Sequence, residues 1–279
     1  MILVLLLIFT VLPVQAAEEG VFGAAAPFLR FGVGARAFGM GSACVAVVDD
    51  ATATYWNPAG LANLQNKQVS AMHTELFMDT KYDYLGIALP ISRGGWGLSF
   101  LNIMTPFISE QGETKTVRAT VGYFGYGLNL GQWQFGLSLK YLQEELLQAT
   151  GQVVSCDLGL QKQLTESLYF GFSLRDFLAA KINWSTGYQE EIPTTYFVGL
   201  SYRIENLILG LELERVNEVN LEHFGIEYMV NDFLKLRAGA RGQDLTFGVG
   251  IRQANYGFDY AYCAAELGNT HRFSLTFDW

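Results

Sequence analysis

The chain has little charge, and most of the charge it carries is acidic. Only 16% of its 279 residues are Asp, Glu, Lys or Arg, whereas globular domains carry about 25%. The 27 acidic residues outnumber the 18 basic ones, which gives a formal net charge of −9. Because a nucleic-acid-binding surface is basic, this composition argues against a nucleic-acid partner.

Cysteine and histidine are also scarce, with three residues of each. The cysteines, Cys44, Cys156 and Cys263, lie far apart, and neither residue type shows the spacing of a metal or redox motif. A Gly-x-Ser-x-Gly nucleophile motif is missing as well. We therefore predict that the protein is not an enzyme, binds no cofactor or metal, and packs its cysteines as single thiols.

Long apolar runs are limited to the first residues. Residues 2–14 are almost entirely apolar, and Val14-Gln15-Ala16 supplies small residues at the positions that a signal peptidase reads. This pattern predicts a cleaved signal peptide over residues 1–16, with an uncleaved anchor or a buried strand as alternatives. No other run reaches the roughly 18 apolar residues of a membrane-spanning helix.

What the chain does have is apolar residues, aromatic rings and glycine. Half of the residues are hydrophobic, 14% are aromatic, and 30 are glycine. An exported, aromatic-rich chain without a helical span is typical of an outer-membrane β-barrel. The sequence therefore predicts a location in the outer membrane of a Gram-negative-type bacterium, in contact with outer-membrane lipid.

Apolar residues alternate with polar ones along most of the chain. At the C-terminus Phe273, Leu275, Phe277 and Trp279 share one face, with Arg, Ser, Thr and Asp on the other. A period of two is the period of a β-strand. A secreted β-sandwich would also alternate, but the Gly-, Arg- and Glu-rich polar face and the aromatic strand ends favour a barrel. Fourteen strands are predicted at 67–76, 81–91, 94–105, 115–129, 132–143, 151–163, 167–176, 193–203, 206–215, 220–230, 233–241, 244–252, 255–263 and 269–279.

The predicted fold is all-β, a transmembrane antiparallel β-barrel of about 14 strands over residues 66–279. Its connections alternate between tight turns and longer loops, and the longer ones, at 106–114, 144–150 and 177–192, are predicted to be extracellular. Because glycine in a strand often marks a close approach of another backbone, we expect the inward glycines to make room for a plug. These glycines are Gly122, Gly136, Gly159, Gly171, Gly199, Gly210, Gly225, Gly239 and Gly248.

Charged residues also fall on the predicted inward face. They pair across the lumen or are solvated by water, and the sequence leaves both alternatives open. They are Arg118, Lys140, Asp157, Arg175, Glu212, Glu227, Arg237, Arg241, Arg252, Asp259 and Arg272.

Residues 17–65 follow no strand pattern and are rich in small residues. We predict that this segment is a hatch inside the lumen. Its candidate gating residues are Asp49, Asp50 and the block Asn57-Pro58-Ala59-Gly60. Asn57 can cap unpaired backbone groups, and Pro58 and Gly60 favour a tight reversal. The alternative is that the block only folds the plug.

Several segments resemble the PorV/PorQ family of FadL-like outer-membrane proteins. They are residues 34–41, residues 45–51, residues 55–62 with the sequence Tyr-Trp-Asn-Pro-Ala-Gly-Leu-Ala, and residues 266–275. The resemblance implies a fourteen-stranded barrel whose N-terminal segment enters the lumen as a hatch. It also implies service to type IX protein secretion or passage of hydrophobic compounds. We expect the first, a partner-binding role with secretion-system proteins, and keep a FadL-like channel for a hydrophobic ligand and a structural barrel as alternatives.

The alternating C-terminal residues Phe273, Leu275, Phe277 and Trp279 resemble the signal that the barrel-assembly machinery reads. A lipid-facing strand end in an aromatic girdle explains the same pattern, and both interpretations can hold together.

Overall fold

The computed structural model describes residues 25–109, 112–178, 180–265 and 268–279. The predicted signal peptide (1–16), the first eight hatch residues (17–24) and Glu266 and Leu267 of the family resemblance lie outside the described residues. Among those described, no helix is long and apolar enough to cross a membrane.

Fourteen antiparallel strands close into a barrel, as predicted. The last strand returns to the first through eight residue pairs, from Gln68 opposite Asp278 to Glu75 opposite His271. We call the end where the first strand begins and the last strand ends the lower end, and the opposite end the upper end. The barrel strands are β1 (Gln68–Leu76), β2 (Thr80–Ile91), β3 (Gly94–Ile108), β4 (Thr114–Leu130), β5 (Trp133–Leu146), β6 (Ala149–Gln163), β7 (Leu168–Arg175), β10 (Thr195–Ile204), β11 (Leu207–Val216), β12 (Val219–Met229), β13 (Leu234–Arg241), β14 (Asp244–Gln253), β15 (Tyr256–Ala264) and β16 (Thr270–Asp278).

Two further strands, β8 (Lys181–Trp184) and β9 (Gln189–Glu191), belong to the long upper connection between β7 and β10. They pair with each other, and β8 also pairs with the upper end of β6, where Gly151 lies opposite Trp184. Ile182 and Ile192 of this connection are buried. The connection therefore folds against the mouth of the barrel.

Side chains alternate between the lumen and the outside, as β5 illustrates. Phe135, Leu137 and Leu139 are exposed on the outer surface, whereas Ser138 and Lys140, which alternate with them, are buried. Exposed apolar side chains on every second residue are what a lipid-facing strand needs. The inside is the buried side, and in this part of β5 it carries polar groups.

The prediction of the faces was wrong near the upper end of β4. Arg118 and Gly122 were expected inside, but Ala119, Val121 and Tyr123 are the buried residues there. Arg118 is exposed, and Gly122 lies beside the outward ring of Phe100. The pattern is reversed here because Ala119, Val121 and Tyr123 pack in the apolar cluster of the lumen, whereas Arg118 and Thr120 are exposed on the outer surface.

The predicted length of two upper loops was also wrong. β3 continues to Ile108, and β5 and β6 extend to Leu146 and Ala149, which leaves only Leu147 and Gln148 between them. Leu147 adopts a φ of +57° to make that reversal. The polar residues in these strand ends have the composition of a loop, but they continue the β-sheet pairing between neighbouring strands.

Residues 25–66, which we call the plug, precede β1 and lie inside the barrel. The plug is built of short turns and helices. Its helical elements are two 3₁₀ helices (Pro27–Arg30 and Pro58–Asn63) and two short α-helices (Ala35–Gly39 and Ala53–Trp56). A third 3₁₀ turn, Phe77–Asp79, connects β1 to β2 at the upper end.

The upper half of the lumen holds an apolar cluster shared by plug and wall. Burial of such side chains favours the packed state by about 25 cal/mol per Å² of apolar surface. Its larger members are Leu29, Val33, Tyr55 and Trp56 of the plug and Tyr82, Tyr84, Leu101, Ile103, Val121, Tyr123, Leu142 and Val153 of the wall.

Candidate functional site: the interface of plug and wall

One inward glycine from each of ten barrel strands forms a belt against which the plug runs. At these positions a Cβ atom would contact or overlap the plug. The glycine belt consists of Gly97 (β3), Gly127 (β4), Gly136 (β5), Gly159 (β6), Gly171 (β7), Gly199 (β10), Gly210 (β11), Gly225 (β12), Gly239 (β13) and Gly248 (β14).

The belt contacts two strips of the plug in sequence order. Going from β14 to β7, the contacts move from Gly39 at Gly248 to Val45 at Gly171. On the other side of the barrel, residues 57–62 lie on the glycines of β3 to β6. Eight of the nine predicted inward glycines belong to this belt, and Gly122 is the exception.

The Asn57-Pro58-Ala59-Gly60 block is entirely buried against β5 and β6. The Asn57 Oδ1 accepts a hydrogen bond from the Ala59 backbone N–H at 3.1 Å and so caps the 3₁₀ helix Pro58–Asn63. The Asn57 Nδ2 donates to the carbonyl oxygens of Val45 at 2.7 Å and Leu160 at 3.2 Å. Asn57 therefore links both plug strips and the wall.

Wall arginines hold the plug through its carbonyl groups at the upper end. Arg272 donates to Gly32 O at 2.6 Å and Phe31 O at 2.7 Å, and its guanidinium lies 3.4 Å from the ring centre of Phe38. Arg241 donates to Arg30 O at 3.1 Å. These bonds satisfy buried backbone groups that have no access to bulk water.

Two glutamates of β11 anchor the plug from its other side. Glu214 accepts from Arg30 Nη2 at 2.6 Å and also contacts His223 Nε2 at 3.1 Å. Glu212 accepts the backbone N–H groups of Cys44 at 2.8 Å and Val45 at 2.7 Å. Glu212 was predicted to lie in the lumen, but neither glutamate was predicted to have this role. The available signal was their inward position on a strand whose other face carries Leu207, Leu209, Leu211 and Leu213.

The remaining predicted lumen charges mostly pair with one another. Lys140 contacts Asp157 and Asp176, both at 2.9 Å. Arg175 has no such partner among the described residues. It donates to Trp56 O at 3.0 Å and lies 4.1 Å from the ring centre of Phe197.

A chain of ion pairs connects the wall to the plug at the lower end. Arg252 contacts Asp259 at 2.7 Å, and Arg237 contacts Asp259 at 2.8 Å and Glu227 at 2.6 Å. Glu227 in turn contacts Arg36 of the plug at 3.2 Å. The predicted residues Glu227, Arg237, Arg252 and Asp259 are thus brought together, whereas Arg241 and Arg272 lie apart at the upper end.

Arg36 was not predicted as a site residue from the sequence, yet it forms the largest number of contacts in this series of ion pairs. It contacts Asp49 at 2.8 Å and Asp50 at 3.3 Å in addition to Glu227. The carboxylates of Glu227, Asp49 and Asp50 raise the pKa of Arg36 well above its ordinary value. Its signal in the sequence was a single basic residue among small residues in the hatch.

A polar cavity of about 640 Å³ opens beside these ion pairs at the lower end, and we call it the vestibule. Arg36, Asp49 and Asp50 line it, whereas the Asn57-Pro58-Ala59-Gly60 block does not. The two parts of the predicted gating motif therefore have different surroundings: the aspartates face the vestibule and the block is packed on the belt. Other lining residues are Gln68, Gln134, Gln161, Gln163, Tyr169, Arg203, Lys235, Arg252 and Asp278.

The predicted assembly signal occupies the outer face of β16. Phe273, Leu275, Phe277 and Trp279 are all exposed, and the rings of Phe277 and Trp279 stack at 5.9 Å. The backbone N–H of Trp279 donates to Lys67 O at 3.0 Å, beside the closure of the barrel.

The three cysteines are unpaired: Cys44 and Cys263 are buried and Cys156 is partly exposed. Within the part of the chain that the structure describes, no group of three His, Cys, Asp or Glu residues is arranged to hold a metal ion.

The fold is similar to that of solved outer-membrane transporters. The Ralstonia pickettii toluene transporter TbuX is 14% identical, with a TM-score of 0.66, and the match covers 89% of this chain and 98% of that one. The CymD monoaromatic hydrocarbon channel is 13% identical, with a TM-score of 0.67, and the match covers 89% of this chain and 98% of that one. A Pseudomonas aeruginosa FadL homologue is 12% identical, with a TM-score of 0.62, and the match covers 87% of this chain and 97% of that one. At these identities the likeness shows a shared FadL-like fold.

No curated protein matches the sequence. Residues 22–173, more than half of the chain, match the sequence profile described as Uncharacterised protein family (UPF0164). The protein belongs to that family.

Proposed function

We propose that the protein is an outer-membrane channel for small hydrophobic molecules and that the plug is its gate. The observation that carries this proposal is the apolar upper half of the lumen, where aliphatic and aromatic wall residues such as Leu101, Val121 and Tyr123 are buried. A water-filled porin has a polar interior. An apolar lumen instead accommodates an apolar solute once the plug has moved.

The similar folds support the same choice. TbuX is a toluene transporter and CymD a monoaromatic hydrocarbon channel. The secretion role that the PorV/PorQ resemblance favours gains no support from these structures. The short upper turns, such as Leu147-Gln148, also offer little surface for a large external partner.

The outer surface supports placement in the outer membrane. Outward residues such as Phe135, Leu137 and Leu139 form an apolar surface. Exposed aromatic rings lie near the ends of strands, with Trp133, Tyr256 and Trp279 at the lower end and Tyr196 at the upper end. Apolar strands flanked by aromatic girdles are the pattern of a transmembrane barrel.

The test is uptake of radiolabelled toluene by intact cells of a Gram-negative host that lacks its own hydrocarbon channel. A lockable variant, Ala35→Cys with Ser274→Cys, joins the plug to β16, because the Ala35 N–H donates to the Ser274 hydroxyl at 2.8 Å. We expect the wild type and the reduced variant to raise uptake above the empty-vector level and the oxidised variant not to. Assembled wild-type protein without added uptake would refute the proposal.

A further inference from the structure

Arg36 contacts three carboxylates, one on the barrel wall and two in the plug. Glu227 is part of the wall, whereas Asp49 and Asp50 are part of the plug, thirteen and fourteen residues further along the chain. The contacts measure 3.2, 2.8 and 3.3 Å respectively. Arg36 therefore fastens the plug to the wall and also closes the plug on itself.

Each of these carboxylates has a second partner when Arg36 is withdrawn. Glu227 keeps Arg237 at 2.6 Å, and Asp49 has Arg203 at 3.9 Å. Asp50 accepts a hydrogen bond from the Thr52 backbone at 2.9 Å. Removing one partner of a buried ion pair is costly because it leaves a bare charge. Here that cost is reduced, since no carboxylate is left alone.

The other charged contacts between plug and wall differ in their access to water. The side chains of Arg30 and Glu214 are 9% and 3% exposed. Those of Arg36, Asp49 and Asp50 are 19%, 33% and 21% exposed and line the vestibule, whereas the side chain of their wall partner Glu227 is 3% exposed. Salt screens partly exposed pairs more than buried ones. The contacts of Arg36 with Asp49 and Asp50 are therefore the ones that ions or a charged solute can compete for, and Arg237 competes for Glu227.

The helix Ala35–Gly39 that carries Arg36 lies between two glycines with left-handed backbone. Gly34 has φ +81° and Gly41 has φ +60°, values that glycine adopts without strain. Gly34, Ala35, Arg36 and Ala37 line the vestibule. The helix thus has a flexible residue on each side and open space beside it.

We infer that Arg36 is the latch of the gate: exchange of its ion pairs frees the Ala35–Gly39 helix to move into the vestibule. This inference rests on the proposed channel function, because it assigns the part of the plug that moves first. The strip at residues 57–62 stays on the glycine belt in that movement. Arg30 and Glu214 act as a permanent anchor, distinct from the latch.

The experiment measures alkylation of Cys263, which is buried in a cluster with Ala35 and Phe38 of the helix that is proposed to move. The background variant is Cys44→Ala with Cys156→Ser, so that Cys263 is the single thiol. We expect Arg36→Gln to raise the rate of reaction with a water-soluble maleimide at least tenfold. Wild-type labelling should also accelerate between low and 1 M salt, and Arg36→Gln should lose this salt dependence.

The matched control is Lys235→Gln, which removes a positive charge from the same vestibule but forms no ion pair with the described part of the plug. It should leave the labelling rate within twofold of the background. The double variant Asp49→Asn with Asp50→Asn provides a second route to an open latch and should also accelerate labelling. Heat-modifiable migration in a detergent gel checks that each barrel has formed.

An unchanged rate in Arg36→Gln and in the aspartate variant, with both barrels formed, would overturn the latch. Equal acceleration by Lys235→Gln would also overturn it, because general loss of vestibule charge would then explain the effect. Accelerated labelling without any toluene uptake by the wild type would leave the latch standing and refute the channel function. The two proposals can therefore fail separately.

Discussion

The side-chain amide of Asn57 donates to the carbonyl oxygen of Val45 at 2.7 Å and thereby joins the two plug strips that lie on the glycine belt. Twelve residues separate the two partners in sequence. Gln161 of β6 donates to the same oxygen at 3.0 Å, so plug and wall meet at one carbonyl group.

We predict that the double substitution Asn57→Ala with Pro58→Ala leaves the barrel assembled and loosens the plug. Loss of a buried hydrogen-bond partner costs about 1–3 kcal/mol, and the wall ladder does not involve these side chains. Backbone amides of residues 45–62 should exchange faster with deuterium, and solute uptake should rise. Faster exchange with wild-type uptake would show that the block only folds the plug, and wild-type exchange would contradict its role in holding the plug.

The packing of the plug on the glycine belt can be tested by replacing Gly136, which belongs to the belt, with Gly122 as the control outside it. A methyl group at Gly136 would overlap the backbone of Pro58 and Ala59, whereas one at Gly122 finds only the Phe100 ring at 3.7 Å. Overpacking costs about 1–3 kcal/mol. We therefore expect Gly136→Ala to lower the midpoint of thermal unfolding and to increase proteolysis of the plug. Gly122→Ala should behave as wild type, and equal effects of the two substitutions would contradict the belt.

Deletion of residues 277–279 should lower the amount of assembled protein much more than its synthesis. The deletion removes the pairs Phe277–Val69 and Asp278–Gln68, and also the bond from Trp279 to Lys67 O. It removes part of the predicted assembly signal as well. The measurement compares membrane-extracted with total protein by immunoblot. Phe277→Leu, which keeps the strand and an apolar residue, serves as the milder control, and normal assembly of the deletion would exclude this role.

The intact barrel should migrate faster unheated than boiled in a detergent gel. Each barrel strand is paired on both sides, and the β1–β16 ladder closes the circle, so unfolding must break a closed sheet without a free edge. A β-rich circular dichroism spectrum should accompany the fast form. Identical migration before and after boiling, together with a helical spectrum, would contradict the fold.

Most of the wall could be predicted because its strands carry apolar residues on the outer face and polar residues on the inner face. Phe273, Leu275 and Phe277 are exposed on the outer surface while Arg272 and Ser274 face the lumen, so the alternation indicates the register. At the upper end of β4 this contrast is reversed, because Ala119, Val121 and Tyr123 pack in the apolar cluster of the lumen. Arg118 was assigned to the wrong face for that reason, and residues 144–150 were read as a loop although most of them belong to β5 and β6.

The site could be predicted only in outline. Inward glycines indicated an occupied lumen, and Asp49 and Asp50 were selected, but Arg36 was missed. Its partner Glu227 lies 191 residues away in sequence, and no local period relates the two. The contact depends on where the plug runs along the belt, which is set by the fold of all ten strands together.

The order of the chain has a consequence for biogenesis. The plug is the first part of the described chain, β1 follows it directly, and β16, which closes on β1, comes last. Ring closure therefore encircles a segment that has already been made. A chain whose plug is still outside when β16 pairs can insert it afterwards only by threading through an end of the finished ring. The order in which the plug and β16 reach their places is therefore a constraint on assembly that the stability of the finished barrel does not describe.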